Sequence, residues 1–161
     1  VFDLWTHEQD IRRATGLPAN QASPGAQVSA LQMAAATGFM LARNLEAPPG
    51  TTLHVTVTGP VAFERWAMVD DDGRGVDLDS PVGAAEATIS LVTDWETYAR
   101  LGAGRLDVTD PAVQARAIVS GDPELAGRLA DQAVDAGPQH AAYAVEHQLH
   151  GADGALEAGV R

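Results

Sequence analysis

The sequence contains no cysteine and no lysine among its 161 residues. Without cysteine there is no disulfide framework, no thiolate nucleophile and no Cys-based zinc or iron–sulfur site, so any metal would need oxygen and nitrogen donors. Cations are scarce as well: ten arginines face 22 acidic residues, for a formal net charge of −12. A phosphate-binding face needs clustered cations, and these arginines are scattered, which argues against a nucleic-acid partner. No 18-residue apolar run occurs, and Asp3 and Glu8 stand where a secretory peptide would carry its basic region. These absences predict a cytoplasmic protein with no membrane partner. The first residue is Val1 and not methionine, which leads us to expect a fragment or a processed product.

What is present suffices for a core. Hydrophobic residues make up 45% of the chain, mean hydropathy is −0.08 and the pI is near 4.5. A chain of 161 residues fits one ordinary domain, or one domain with fragments attached. Residues 2–15 read as a helix, with Gly16, Leu17 and Pro18 as its stop signal. Ser23 as N-cap and Pro24 at the first helical position open a second helix running to Leu45. Its expected apolar face is Val28, Leu31, Ala35, Phe39, Ala42 and Leu45.

The period then switches to two. Leu53, Val55 and Val57 alternate with His54, Thr56 and Thr58, and a second alternating run from Val61 places Phe63, Ala67 and Val69 on one side. Gly59-Pro60 joins these strands and an acidic turn at Asp70–Gly73 follows. Gly75 to Asp79 and the Ala87, Ile89, Leu91 alternation suggest two more strands. Thr93 and Glu96 read as a capping box opening a helix through Leu101. Asp110-Pro111 starts a short helix, Ala117–Ser120 a brief strand, and Asp122-Pro123 a last helix that ends at Gly137-Pro138. Helices and antiparallel strands in this order predict an α+β architecture with helices on one face of a sheet.

On the first helix Asp3 and His7 are four residues apart and share a face, where a carboxylate oxygen and an imidazole nitrogen could hold one divalent cation. The alternative is a polar surface face. His147 and His150, with Glu146 and the nearby His140, have a spacing that binds metal on a helix, but residues 137–161 lack a firm apolar face and read as a solvated tail. Arg105, after a glycine corner, could clamp the carboxylate of a small anionic substrate in two parallel hydrogen bonds, which makes it the candidate catalytic residue. It could equally neutralise Asp107 or Asp110. Phe63, Trp66 and Trp95 read as core or as the wall of an apolar cavity.

The run Asp3-Leu4-Trp5-Thr6-His7-Glu8-Gln9-Asp10-Ile11-Arg12 resembles the last helix of the DinB-like metal-binding domain of the actinobacterial mycothiol-dependent maleylpyruvate isomerase family. Residues 22–136 are similar to that family's sterol-carrier-like C-terminal domain, carried by Trp95–Leu106 and by Ile118–Ala126. The resemblance implies that Asp3 and His7 are metal ligands, with zinc as the ion and mycothiol as the thiol cofactor. It divides the chain into a terminal bundle helix at 1–17, the α+β domain at 22–136 and the tail at 137–161. The rest of the four-helix bundle, with its first ligand histidine, would precede Val1.

Two functions follow from these readings. One is the C-terminal part of a metal- and mycothiol-dependent isomerase or transferase, inactive alone, whose partners are a small-molecule substrate and the thiol cofactor. The other is a non-catalytic module holding an apolar small molecule between the second helix and the sheet, where the small residues Ala67 and Ala87 leave room. The apolar Leu4, Trp5 and Ile11 must dock on the domain, pair with a second copy in a homodimer or stay exposed, and we expect the helix to pack against the domain or a partner copy and not to project freely.

Overall fold

A computed structural model describes residues 1–78, 80 and 86–135, the last five by backbone alone. Helix α1 spans Phe2–Ala14. It closes in a Schellman turn: the Leu17 N–H donates to the Arg12 carbonyl at 2.8 Å and Gly16 takes a φ of +70°. Helix α2, Pro24–Ala35, starts as read, with the Ser23 hydroxyl accepting from the Ala26 N–H at 3.2 Å.

The second helix is not continuous to Leu45. The chain breaks at Ala36, makes one short turn α3 (Thr37–Phe39), and continues as a π-helical turn at Met40–Asn44. Arg128 closes that turn by donating to the Leu45 carbonyl at 3.0 Å. The break lets α3 lie directly on the sheet, where the Gly38 N–H donates to Asp77 Oδ1 at 3.2 Å. The buried stripe keeps the expected Leu45 but otherwise runs along Ala26, Ala30, Ala34 and Leu41, whereas Leu31 is 68% and Val28 45% exposed. Apolar residues surround this helix, so spacing alone does not single out the stripe of small residues that lets its neighbours approach.

Strands β1 (Thr52–Thr58), β2 (Phe63–Val69), β3 (Gly75–Leu78), β4 (Ile89–Asp94) and β5 (Ile118–Gly121) form one sheet in the order β3-β2-β1-β4-β5. Alternation decides which side is buried: Leu53, Val55 and Val57 point into the core, while His54 stacks on Trp66 on the opposite face with ring centroids 4.1 Å apart. The sheet is mixed and not wholly antiparallel, because β4 lies parallel to β1, with Val55 beside Leu91. Local alternation carries no record of strand direction. Ala87 falls outside β4.

Helix α4 (Trp95–Gly102) follows β4, α5 (Pro111–Gln114) precedes β5, and α6 (Pro123–Asp135) follows it. The cap of α4 is Asp94 and not Thr93: its carboxylate accepts from the Thr97 N–H at 3.0 Å. Thr93 is still in the ladder, paired with Val57, so the helix begins one residue later than the capping-box reading placed it. Caps at Asp110 and Asp122 hold as read. The helices cover one face of the sheet in an α+β arrangement.

Helix α1 rests on α2 and α4. Trp5 is buried, its ring 5.2 Å from that of Trp95, and Phe2, Thr6 and Gln9 share the buried side. The helix packs on the domain as expected, through Trp5, while Leu4 at 77% and Ile11 at 63% exposure point outward. Seven-residue spacing places them on one stripe, but the aromatic pair fixes the helix with that stripe turned away. Among the described residues no helix is long and apolar enough to cross a membrane.

Candidate functional site

A half-open pocket of about 430 Å³ lies on the helix-covered side of the sheet. Met33 of α2 and Met40 and Asn44 of the π turn form one wall. Tyr98, Leu101 and Gly102 of α4 form the next, and Leu91 and Val119 supply the floor from β4 and β5. Ala126, Leu129 and Ala130 of α6, with Val113, Gln114 and Ala117, belong to the lining too. No Asp, Glu, Arg or His is among the described lining residues.

Each wall is set by local chemistry. The π turn inserts an extra residue per turn, and such turns recur at functional sites because they redirect side chains; this one supplies both Met40 and Asn44 to the pocket. Gly102 admits the Met33 side chain, whose Cε lies 2.5 Å from where a Cβ on Gly102 would stand. Methionine's unbranched thioether adapts to irregular apolar shapes. Tyr98 packs edge-on against Phe63 at 5.5 Å, and burial pushes its pKa up to about 12, with Thr37 beside it acting in the opposite direction. Its phenol is therefore neutral at ordinary pH.

The residues singled out in the sequence sit elsewhere. Asp3 and His7 meet at 3.4 Å on the outer side of α1, both exposed. Among the described residues no third His, Asp or Glu joins them. Structural zinc takes four ligands and catalytic zinc three protein ligands, so this donor pair does not fit a divalent-cation centre by itself. His140, Glu146, His147 and His150, the tail at 137–161 and its Gly137-Pro138 stop lie outside the described residues.

Arg105 does not line the pocket. Its Nε donates to Asp10 Oδ2 at 3.0 Å and its Nη1 to the Ala103 carbonyl at 2.9 Å. Neither Asp107 nor Asp110 is its partner; the former accepts from Thr109 and the latter caps α5. The guanidinium ties the end of α4 to α1. Ala67 and Ala87 likewise are not in the pocket wall: Ala67 is fully buried in the core between Leu53 and Asp77 of the neighbouring strands. Trp95 and Phe63 are core, and Trp66 lies on the opposite face of the sheet.

Sequence reasoning missed Met33, Met40, Asn44 and Tyr98. The only signal in the sequence was the pairing of two methionines with an amide on one helical stretch, and that has no meaning until the helix breaks.

No protein-family model matches the chain, and no curated protein matches it. Several solved structures have a similar chain path. The sterol carrier protein domain 2 of Helicoverpa armigera aligns at 17% identity with a TM-score of 0.47, covering 76% of this chain and 94% of that one. Sterol carrier protein 2 of Yarrowia lipolytica aligns at 10% identity and 0.42, covering 74% and 95%. Sterol carrier protein 2 like 2 of Aedes aegypti aligns at 17% and 0.40, covering 63% and 97%.

Proposed function

We propose that the chain is a binding module that holds one apolar or amphipathic small molecule in the pocket between the Met33–Asn44 helical stretch, α4, α6 and the floor of β4 and β5. One observation carries this reading: about 430 Å³ of concave space with an almost wholly apolar wall and only a few polar groups. Ligand sites have this size and composition. Filling such a space removes apolar surface from water at roughly 25 cal/mol per Å².

The metal- and mycothiol-dependent isomerase that the resemblance implies has a narrower support, the contact between Asp3 and His7. Both donors are exposed and lie on the outer side of α1, away from the pocket residues.

Titration with the uncharged dye N-phenyl-1-naphthylamine tests the binding reading, because its fluorescence rises in apolar surroundings. Saturable enhancement in the native chain, lost in Ala126→Trp with the melting temperature held within a few degrees, is the expected outcome. Absence of enhancement, or enhancement that Ala126→Trp leaves intact, contradicts it.

A further inference from the structure

We propose that the pocket selects an uncharged amphiphile, an apolar body bearing a hydroxyl or carbonyl head, and that Asn44 receives that head. This inference rests on the pocket being a ligand site, as argued above.

Asn44 is half-buried in the pocket wall, and its carboxamide makes no hydrogen bond among the described residues. A carboxamide offers two donors and an acceptor, so it suits a hydroxyl or a carbonyl equally. The other polar groups in the wall are neutral too. Gln114 donates to the Val108 carbonyl at 3.1 Å, and the Tyr98 phenol stays protonated.

Charged heads meet no counter-charge in the described lining. Three of the arginines that adjoin lining residues in sequence are engaged: Arg116 by Asp94 at 2.9 Å, Arg128 by Glu124 at 2.7 Å, and Arg100 by Glu96 at 3.7 Å. The fourth, Arg43 beside Asn44, is exposed and is not among the lining residues. An anionic head would be desolvated with no cation in the described lining, and the net charge of −12 opposes its approach. An ammonium head would find no carboxylate in the described lining. Burying either ion unpaired is strongly unfavourable, whereas a hydroxyl needs one hydrogen bond.

Three competitors of one chain length separate these cases: 1-dodecanol, dodecanoate and dodecylammonium, each displacing N-phenyl-1-naphthylamine from the native chain at pH 7.5. The alcohol is expected to reach half-displacement at a concentration at least tenfold below either ion. In Asn44→Leu the advantage is expected to shrink below threefold. Dodecanoate or dodecylammonium competing as well as the alcohol overturns the inference, as does an Asn44→Leu variant with the full advantage retained. The ranking in the native chain stands whether or not that variant folds. If the native chain binds no dye at all, the binding reading itself fails; if it binds dye but prefers an ion, only the choice of head group fails.

Discussion

The methyl group of Met33 occupies the space that a Cβ on Gly102 would need, 2.5 Å away. Two elements of the pocket, α2 and α4, are thus fitted to each other through one absent side chain. Gly102→Ala would push the flexible end of Met33 aside into the pocket. Helix propensity gains up to about 1 kcal/mol by the exchange, so stability should change little. Affinity for an apolar probe should fall by about 0.8 kcal/mol, the transfer energy of one methylene. Parallel dye titration and thermal melting separate the two effects.

Gly75 and Gly38 set the seat of α3 on the sheet. A Cβ on Gly75 would overlap the Gly38 carbonyl, a backbone atom that cannot swing away. Gly75→Ala should therefore destabilise by more than about 4 kcal/mol, the range reserved for severe overpacking. Gly127 on α6 is the control, since nothing lies within 4 Å of its Cβ position. Gly127→Ala should stabilise by about 0.5–1 kcal/mol. Urea unfolding of the two variants measures both.

Helix α1 is held by its aromatic anchor more than by its ion pairs. Trp5→Ala removes a buried ring that contacts Trp95 and should cost about 3–5 kcal/mol. Asp10→Asn breaks the partly exposed pair with Arg105 and should cost less than about 1 kcal/mol. Denaturant midpoints compare them directly. Equal losses would mean that the α1 contact is chiefly electrostatic.

Asp94 couples stability to acid. Burial raises its pKa, but hydrogen bonds from Arg116 and Thr97 outweigh that and hold it below its ordinary value of 3.8. A depressed carboxylate stabilises the fold above its unfolded pKa and loses that contribution as pH falls through its folded value. Asp94→Asn keeps the capping oxygen and removes the charge. The stability difference between the native chain and this variant should be constant at neutral pH and shrink as pH drops below 3.8. A difference that persists in strong acid would contradict the role given to the Arg116 pair.

Much of the architecture was legible because its causes are local. Period-two alternation marked Leu53, Val55 and Val57 as the buried side of β1, and Ser23, Asp110 and Asp122 marked helix starts through their side-chain oxygens. What failed depends on partners distant in sequence. Val55 beside Leu91 makes β4 parallel to β1, and nothing in either segment states that direction. Thr93 looked like a cap until the ladder with Val57 claimed it. The pocket was legible only as a space between the second helix and the sheet. Its wall draws on α2, the π turn, β4, α4, α5, β5 and α6, so residues from Met33 to Ala130 converge only after folding. Asp3, His7 and Arg105 stood out because charged residues advertise themselves in a sequence, and apolar walls do not.

The three methionines of the chain provide the most direct test of the binding account. Met33 and Met40 line the pocket, while Met68, paired with Thr52 and Val76, points to the opposite face of the sheet. With methyl-13C methionine in the native chain, titration with 1-dodecanol should shift the Met33 and Met40 methyl resonances along one saturable curve and leave Met68 in place. Stationary Met33 and Met40 signals, or a Met68 shift that equals theirs, would contradict a ligand site in this pocket.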